Sequence, residues 1–118
     1  MARVVALVPD LLFGSKVQAM LAAEGHEVEL VGDPEQARAK APHAAVLVVD
    51  LTTDAASGAG LVEAMSRAGE LERTRTLAFY SHVEQQTRER AEAAGFDLVV
   101  PRSRMAREGA ALVTRLAG

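Results

Sequence analysis

The sequence predicts a single α/β domain over residues 1–118, in which helices cover both faces of a five-stranded parallel sheet. Three observations support this class. Five short apolar runs alternate with segments of helical periodicity along the whole chain, which is the pattern of repeated βα units. The length of 118 residues is enough for one hydrophobic core. The apolar fraction of 49% and the charged fraction of 25% are ordinary for a globular protein.

The five apolar runs predict the strands. They lie at residues 4–8, 28–31, 44–49, 77–80 and 98–100. The first and third runs are continuously apolar, which indicates strands that are buried on both faces, as at the centre of a parallel sheet. The third run leads directly into Asp50.

Helical spacing between these runs predicts five helices. Apolar residues mark the first, third and last of them: Phe13, Val17, Met20 and Leu21; Leu61, Met65 and Ala68; Met105, Leu112, Val113 and Leu116. Asp33 and Pro34 suit the start of a short second helix that ends at about residue 41. A polar fourth helix is predicted from about residue 83 to residue 94. Gly25 and Gly95 are placed to end the first and fourth helices.

This order of elements restricts the topology of the sheet. Right-handed crossovers leave few arrangements, and five strands of this length favour the order 2-1-3-4-5 of a flavodoxin-like three-layer sandwich. The first and third strands are then neighbours at the point where the winding reverses, and ligands and chemistry collect outside the carboxyl ends of such strands. The polar residues that follow the strands are therefore the candidates for a site: Asp10, Asp50, Ser81 and Arg102.

Two of these candidates are carboxylates. Asp50 lies at the rim of the core and suits a cation ligand or a nucleophile, although an Asp after a strand also begins turns. Asp10 is expected near Asp50, and two close carboxylates repel each other unless a cation lies between them. Mg²⁺ prefers such hard oxygen ligands, so Asp10 and Asp50 are candidate metal ligands. A cap of the following helix is the favoured single role for Asp10.

The other two candidates suit an oxoanion. The Ser81 hydroxyl can donate to a phosphoryl oxygen near Asp50, and it equally suits a turn or a cap. The Arg102 guanidinium can neutralise a phosphoryl group, or it can face solvent. Among the histidines, His82 is predicted to be satisfied at the rim, and His26 and His43 are predicted to be surface residues in turns that lead into strands.

Composition and missing motifs exclude several functions. The absence of cysteine excludes disulfides, thiolate metal sites and cysteine nucleophiles. The net charge of −3, without a basic block, argues against nucleic-acid binding. No apolar run reaches 18 residues, so no membrane span is expected and the protein is expected to be cytoplasmic. The first strand is followed by no glycine-rich phosphate loop, and GxSxG does not occur, so we expect no enzyme.

Three sequence stretches resemble the receiver domains of bacterial response regulators, the CheY-like family, and together the resemblance covers essentially the whole chain. AVLVVDL resembles the third strand with its phospho-acceptor, which is Asp50 here, and Gly58 falls eight residues later, where receivers usually carry glycine. AEGHEVEL resembles the end of the first helix and the second strand. AEAAGFDLVVPRS resembles the end of the fourth helix and the fifth strand.

The resemblance implies two-component signal transduction. In receivers, an Asp takes a phosphoryl group from a histidine kinase or another partner histidine, and Mg²⁺ is held by acids that follow the first strand. A Ser or Thr after the fourth strand and a Lys after the fifth bind the phosphoryl group, so the resemblance gives these roles to Ser81 and Arg102. The resulting switch changes the surface of the fourth helix, fifth strand and fifth helix, which implies a protein interface there and suggests a homodimer.

The sequence also departs from the receiver pattern around the site. Receivers usually carry two adjacent acids after the first strand, but here the chain reads Val8-Pro9-Asp10, with one acid a residue late. Arg102 stands at the usual Lys position, which changes reach and geometry. His82 follows Ser81, where a small residue is usual. These departures favour a stand-alone, degenerate receiver or pseudo-receiver that binds a partner, with phosphorylation weak or absent.

Two other classes remain open from the sequence. Flavodoxin-like domains that bind a flavin, cobalamin or another small ligand share this architecture. They are disfavoured because a Ser/Thr/Gly-rich phosphate loop is missing after the first strand and aromatic residues make up 3% of the chain. A scaffold without any site is the third class.

Overall fold

Five parallel strands alternate with five helices in the computed structural model, which describes residues 2–81 and 85–118. The strands are β1 (Arg3–Leu7), β2 (Glu27–Val31), β3 (Val46–Asp50), β4 (Arg75–Tyr80) and β5 (Leu98–Pro101). The helices are α1 (Leu11–Ala23), α2 (Pro34–Lys40), α3 (Ala55–Arg67), α4 (Gln85–Ala94) and α5 (Arg102–Ala117). A short 3₁₀ turn, Ala41–His43, separates α2 from β3.

The sheet has the order β2-β1-β3-β4-β5 with every neighbouring pair parallel, which confirms the predicted flavodoxin-like topology. Helices α1 and α5 pack on one face and α2, α3 and α4 pack on the other. Every residue of β3 is buried, as its continuously apolar sequence predicts. The last residue of β3, Asp50, lies opposite Phe79 of β4, so its carboxylate is at the carboxyl edge of the sheet.

Helix ends follow the sequence signals closely. Asp33 accepts a hydrogen bond from Gln36 N at 2.9 Å and caps α2, and Asp54 accepts one from Ser57 N at 3.0 Å and caps α3. Gly25 and Gly95 follow α1 and α4 with φ of 86° and 97°, a backbone conformation that glycine adopts without steric cost.

The glycine in α3 has a packing reason. A Cβ atom at Gly58 would lie 2.5 Å from Leu51 Cδ2 and 2.9 Å from Val49 Cγ1. The first turns of α3 therefore approach the end of β3 more closely than a larger residue permits. This contact fixes the backbone that carries Asp50 against α3.

The prediction that His26 is a surface residue is wrong. Its side chain is buried, and Nδ1 accepts a hydrogen bond from Ala2 N at 3.2 Å. Its Nε2 lies 2.9 Å from Thr114 Oγ1, whose hydroxyl donates to Ala110 O. The turn before β2 is covered by the end of α5 and by the N-terminal segment, which local sequence does not reveal.

The remaining predictions concern the other two histidines and the ends of two helices. His43 is exposed, as predicted. Ala68 is the exposed C-cap of α3 and is not part of its apolar face. His82, together with the predicted start of the fourth helix at residue 83, lies outside the described residues.

Candidate functional site

Two clefts open at the carboxyl edge of the sheet, and the predicted site residues are divided between them. The first, the α1–α5 cleft, has a volume of about 760 Å³ and includes Asp10, Ser81 and Arg102 in its lining. The second, the α2–α3 cleft, has a volume of about 170 Å³ and is lined in part by Asp50. Thr53 lines both clefts, so they adjoin at the loop that follows β3.

Asp50 is buried, with 6% of its surface exposed, at the end of β3. Its Oδ1 accepts a hydrogen bond from Thr52 N at 2.7 Å and another from Thr52 Oγ1 at 2.5 Å. No hydrogen bond to Oδ2 comes from the part of the chain that the structure describes. One oxygen of the carboxylate is thus oriented by its own turn, while the other is left for a second partner.

Asp10 has the role of helix cap that the sequence favours. Its Oδ1 accepts hydrogen bonds from Leu12 N at 3.0 Å and Phe13 N at 3.2 Å, at the start of α1. Its Oδ2 lies 3.7 Å from Arg102 Nη2. The cap and the ion pair therefore occupy both carboxylate oxygens.

Arg102 is the first residue of α5, and its guanidinium points back across α1. Its Cζ lies 4.1 Å from the centre of the Phe13 ring, a cation–π contact. The Phe13 ring in turn packs against Phe79, with 5.2 Å between the ring centres. The guanidinium therefore lies on a ring of α1 that itself packs, in a tilted arrangement, against Phe79 of β4.

Ser81 directly follows β4 and is partly buried in the wall of the α1–α5 cleft. Thr52, the hydrogen-bond partner of Asp50, lines the same cleft. Sequence reasoning missed both Thr52 and Phe13. A threonine two residues after an aspartate is a common turn pattern and was a usable signal for Thr52, whereas the contact between Phe13 and Arg102 joins residues that are distant in sequence.

The acids present do not match a magnesium site. Mg²⁺ needs several oxygen ligands in octahedral geometry, usually including one or two carboxylates. Both oxygens of Asp10 and one oxygen of Asp50 already have protein partners. The two carboxylates also line different clefts. Within residues 2–81 and 85–118, no group of three or more His, Cys, Asp or Glu side chains is arranged to hold a metal ion.

Two ion pairs with two hydrogen bonds each join α4 to α3 and α2 to the turn that follows α3. Arg90 of α4 binds both carboxylate oxygens of Glu63 on α3, at 2.9 and 2.8 Å. Arg38 of α2 binds both oxygens of Glu70 in the same way, at 2.8 and 3.0 Å. The hydrogen bonds from the arginines lower the pKa of Glu63 and the pKa of Glu70.

Several solved structures with the same fold are receiver domains or response regulators. The chain resembles the signal receiver domain of the response regulator NarL from Mycobacterium tuberculosis, with 26% identity, a TM-score of 0.81, and coverage of 98% of this chain and 95% of that one. It resembles the Vibrio cholerae chemotaxis regulator CheY4 with 21% identity, a TM-score of 0.83 and 98% coverage of both chains.

The receiver domain of the Pseudomonas aeruginosa sensor histidine kinase PA1611, which was solved with a magnesium ion in its active-site cleft, is also similar. The identity is 19% and the TM-score 0.85, with coverage of 99% of this chain and 98% of that one. No protein-family model matches the sequence, and the search of curated proteins found no match. The chain therefore has the CheY-like fold of response regulator receiver domains.

No helix in the described part of the chain is long and apolar enough to cross a membrane.

Proposed function

We propose that the chain is a receiver-like module of two-component signal transduction, with Asp50 as the phospho-acceptor. The observation that carries the proposal is the position of Asp50 at the switch point between β1 and β3. One of its carboxylate oxygens is fixed by Thr52, and the other accepts no hydrogen bond from the described residues. The receiver folds of the similar structures support the same class.

The proposed transfer is a substitution at phosphorus. An oxygen of Asp50 attacks the phosphorus atom of a phosphohistidine or of acetyl phosphate, and an O–P bond forms to the carboxylate. The N–P or O–P bond to the donor breaks, and the donor nitrogen or oxygen keeps the electron pair. Ser81 and Thr52 line the neighbouring cleft with hydroxyl groups that can donate to the phosphoryl oxygens.

The partner is a protein, and two exposed leucines next to the cleft are the proposed contact. Leu11 and Leu12, the first residues of α1, are 78% and 87% exposed, whereas Phe13, Val17 and Leu21 of the same helix are buried. They adjoin Asp10 at the mouth of the α1–α5 cleft. A histidine-bearing protein that docks on these side chains brings its histidine close to the cleft. We also propose that the signal is passed on through the surface of α4, β5 and α5, including by formation of a homodimer. In this proposal the module itself is not an enzyme.

The test is the intact mass of the protein after incubation with acetyl phosphate, with wild type beside Asp50→Asn. We expect one added phosphoryl group in wild type and none in the variant, since the amide is a poor nucleophile. Asp54→Asn is the matched control, because Asp54 lines the same cleft but caps α3. Equal labelling of wild type and Asp50→Asn contradicts the assignment of Asp50.

A second candidate is a pseudo-receiver that signals by binding alone. The observation that favours it is the ion pair between Asp10 and Arg102, which occupies two of the residues that the receiver pattern gives to the phosphoryl site. In this version, wild type takes up no phosphoryl group, and Asp50→Asn binds a partner histidine kinase as tightly as wild type does. Leu11→Ser and Leu12→Ser weaken that binding in both versions.

A further inference from the structure

Among the described residues that line the α1–α5 cleft, cations outnumber carboxylates. They are Lys16 and Arg102, against the carboxylate of Asp10. Hydroxyl groups complete the wall, from Thr52, Thr53, Ser81 and Ser103. Cations and hydroxyl donors are the groups that bind phosphate-like oxoanions in proteins.

The positive charge of Arg102 is fixed in place at some electrostatic cost. It is the first residue of α5, where the helix dipole disfavours a cation. Two contacts to α1 hold it there, the ion pair with Asp10 and the face of the Phe13 ring. The side chain is only 43% exposed, so its charge is less screened by solvent than that of a free surface arginine.

We infer that this cleft binds a phosphate-like oxoanion without a divalent cation. The Arg102 guanidinium supplies the fixed positive charge that a bound metal ion would otherwise supply to the oxoanion. The inference rests on the proposed function for the identity of the acceptor, Asp50. The inference follows from the available ligands. Asp10 is committed to its helix and to Arg102, and among the described residues Asp50 belongs to no group of three or more potential metal ligands. Pro9 stands at one of the two positions where the receiver pattern has an acid, and it lines the α2–α3 cleft together with Asp50 and Asp54.

The first arm of the test measures oxoanion binding without metal. Inorganic phosphate is titrated into the protein in the presence of a chelator, and the backbone amide shifts of Thr52, Ser81 and Ser103 are followed by NMR. We expect saturable shifts in wild type and binding at least about tenfold weaker in Arg102→Ala, because a charge-assisted contact is lost. Arg104→Ala is the matched control, since Arg104 lies on the same helix and pairs with Glu108, and Arg102→Lys keeps the charge if the alanine variant is impaired in folding.

The second arm measures metal binding directly. Mn²⁺, a paramagnetic substitute for Mg²⁺, is added to wild type and to Pro9→Asp. We expect selective broadening of the amides around Asp50 in Pro9→Asp only, because the new carboxylate joins Asp50 and Asp54 in one cleft. Broadening around Asp50 in wild type, or none in Pro9→Asp, overturns the explanation.

The outcomes separate this inference from the proposed function. If phosphate binds wild type only when Mg²⁺ is present, or does not bind at all, the inference is wrong. If the acetyl phosphate label appears at Asp50 only with Mg²⁺, the proposed function stands and the inference falls. If phosphate binds through Arg102 in chelator but Asp50 is never labelled, the inference stands and the phospho-acceptor role falls.

Discussion

The same polar arrangement occurs at opposite edges of the sheet and has different consequences. At the amino edge, Asp97 accepts hydrogen bonds from Thr76 N at 2.8 Å and Thr76 Oγ1 at 3.2 Å. At the carboxyl edge, Asp50 accepts the corresponding two bonds from Thr52. The first pair joins residues 21 apart in sequence, whereas the second joins residues two apart. One aspartate therefore links two strands, and the other only shapes its own turn.

The other polar groups at the two edges of the sheet differ in the same way. At the amino edge, the buried hydroxyl of Thr74 lies 2.8 Å from the carbonyl oxygens of both Ala41 and Ala44. The buried ring of His26 joins the N-terminal segment to α5. At the carboxyl edge, Ser81 and Thr52 line an open cleft. Polar groups that are fully used in joining elements stabilise the fold, and polar groups that stay open are available for binding and chemistry.

Removing each aspartate in turn should give the largest difference in stability between the two edges. Asp97→Ala leaves the buried N–H and hydroxyl of Thr76 without their acceptor, and we expect it to lower the free energy of unfolding by about 1–3 kcal/mol. Asp50→Ala removes two hydrogen bonds within one turn, whose donor residue Thr52 lines an open cleft, and we expect a loss below about 1 kcal/mol. Urea unfolding of both variants measures the difference.

Arg75→Ala is the control for the first substitution, because Arg75 lies 3.8 Å from Asp97 but is largely exposed. It should change the free energy of unfolding by less than about 1 kcal/mol. If Asp50→Ala proves as destabilising as Asp97→Ala, the carboxyl-edge aspartate has a structural role that this account does not give it.

A smaller effect is expected where α3 approaches β3. Gly58→Ala places a methyl group against Leu51 and Val49 and should destabilise the protein by about 1 kcal/mol or more, because the packed core must shift. Gly60→Ala, in the same helix with no atom near the added methyl, should stabilise it by about 0.5–1 kcal/mol. Thermal unfolding of the two variants should therefore move in opposite directions, and equal shifts would contradict the close contact.

The smallest effect on stability is expected from the ion pairs Arg90–Glu63 and Arg38–Glu70. Arg90 and Arg38 lower the pKa of Glu63 and Glu70 below the ordinary value of 4.5. A lowered carboxyl pKa stabilises the fold above the unfolded-state pKa, and this stabilisation is lost as the pH falls through the folded-state pKa. Wild type should thus exceed the double variant Glu63→Gln/Glu70→Gln in stability at neutral pH, and the difference should vanish in acid.

Thermal unfolding across the acid range measures this difference. Glu92→Gln is the control, because Glu92 pairs with Arg88 within α4 alone and joins no helices. A difference between wild type and the double variant that does not change with pH would show that the two pairs act by packing and not by charge.

The fold was predictable because its signals are local and repeated. The apolar run of β3, the cap at Asp33 and the glycines after α1 and α4 are each readable within a few residues. The wrong prediction for His26 has the opposite cause, since its burial depends on Ala2 and Thr114, both far from the turn in sequence.

The sequence predicted which edge of the sheet carries the candidate residues but not how their side chains are arranged. Strand ends identify Asp10, Asp50, Ser81 and Arg102, yet pattern alone cannot show that Asp10 and Arg102 pair or that Asp50 faces a different cleft. The stack of Arg102 on Phe13 depends on how α5 packs across α1, which is set by the whole core.

The central claim is that Asp50 accepts a phosphoryl group beside a cation that belongs to the chain itself. The most direct measurement is the extent of labelling by acetyl phosphate in the presence of chelator and in the presence of Mg²⁺, for wild type and Asp50→Asn. We predict the same extent of labelling in wild type under both conditions and no labelling of Asp50→Asn. Labelling of wild type that needs Mg²⁺, or that survives in Asp50→Asn, would contradict it.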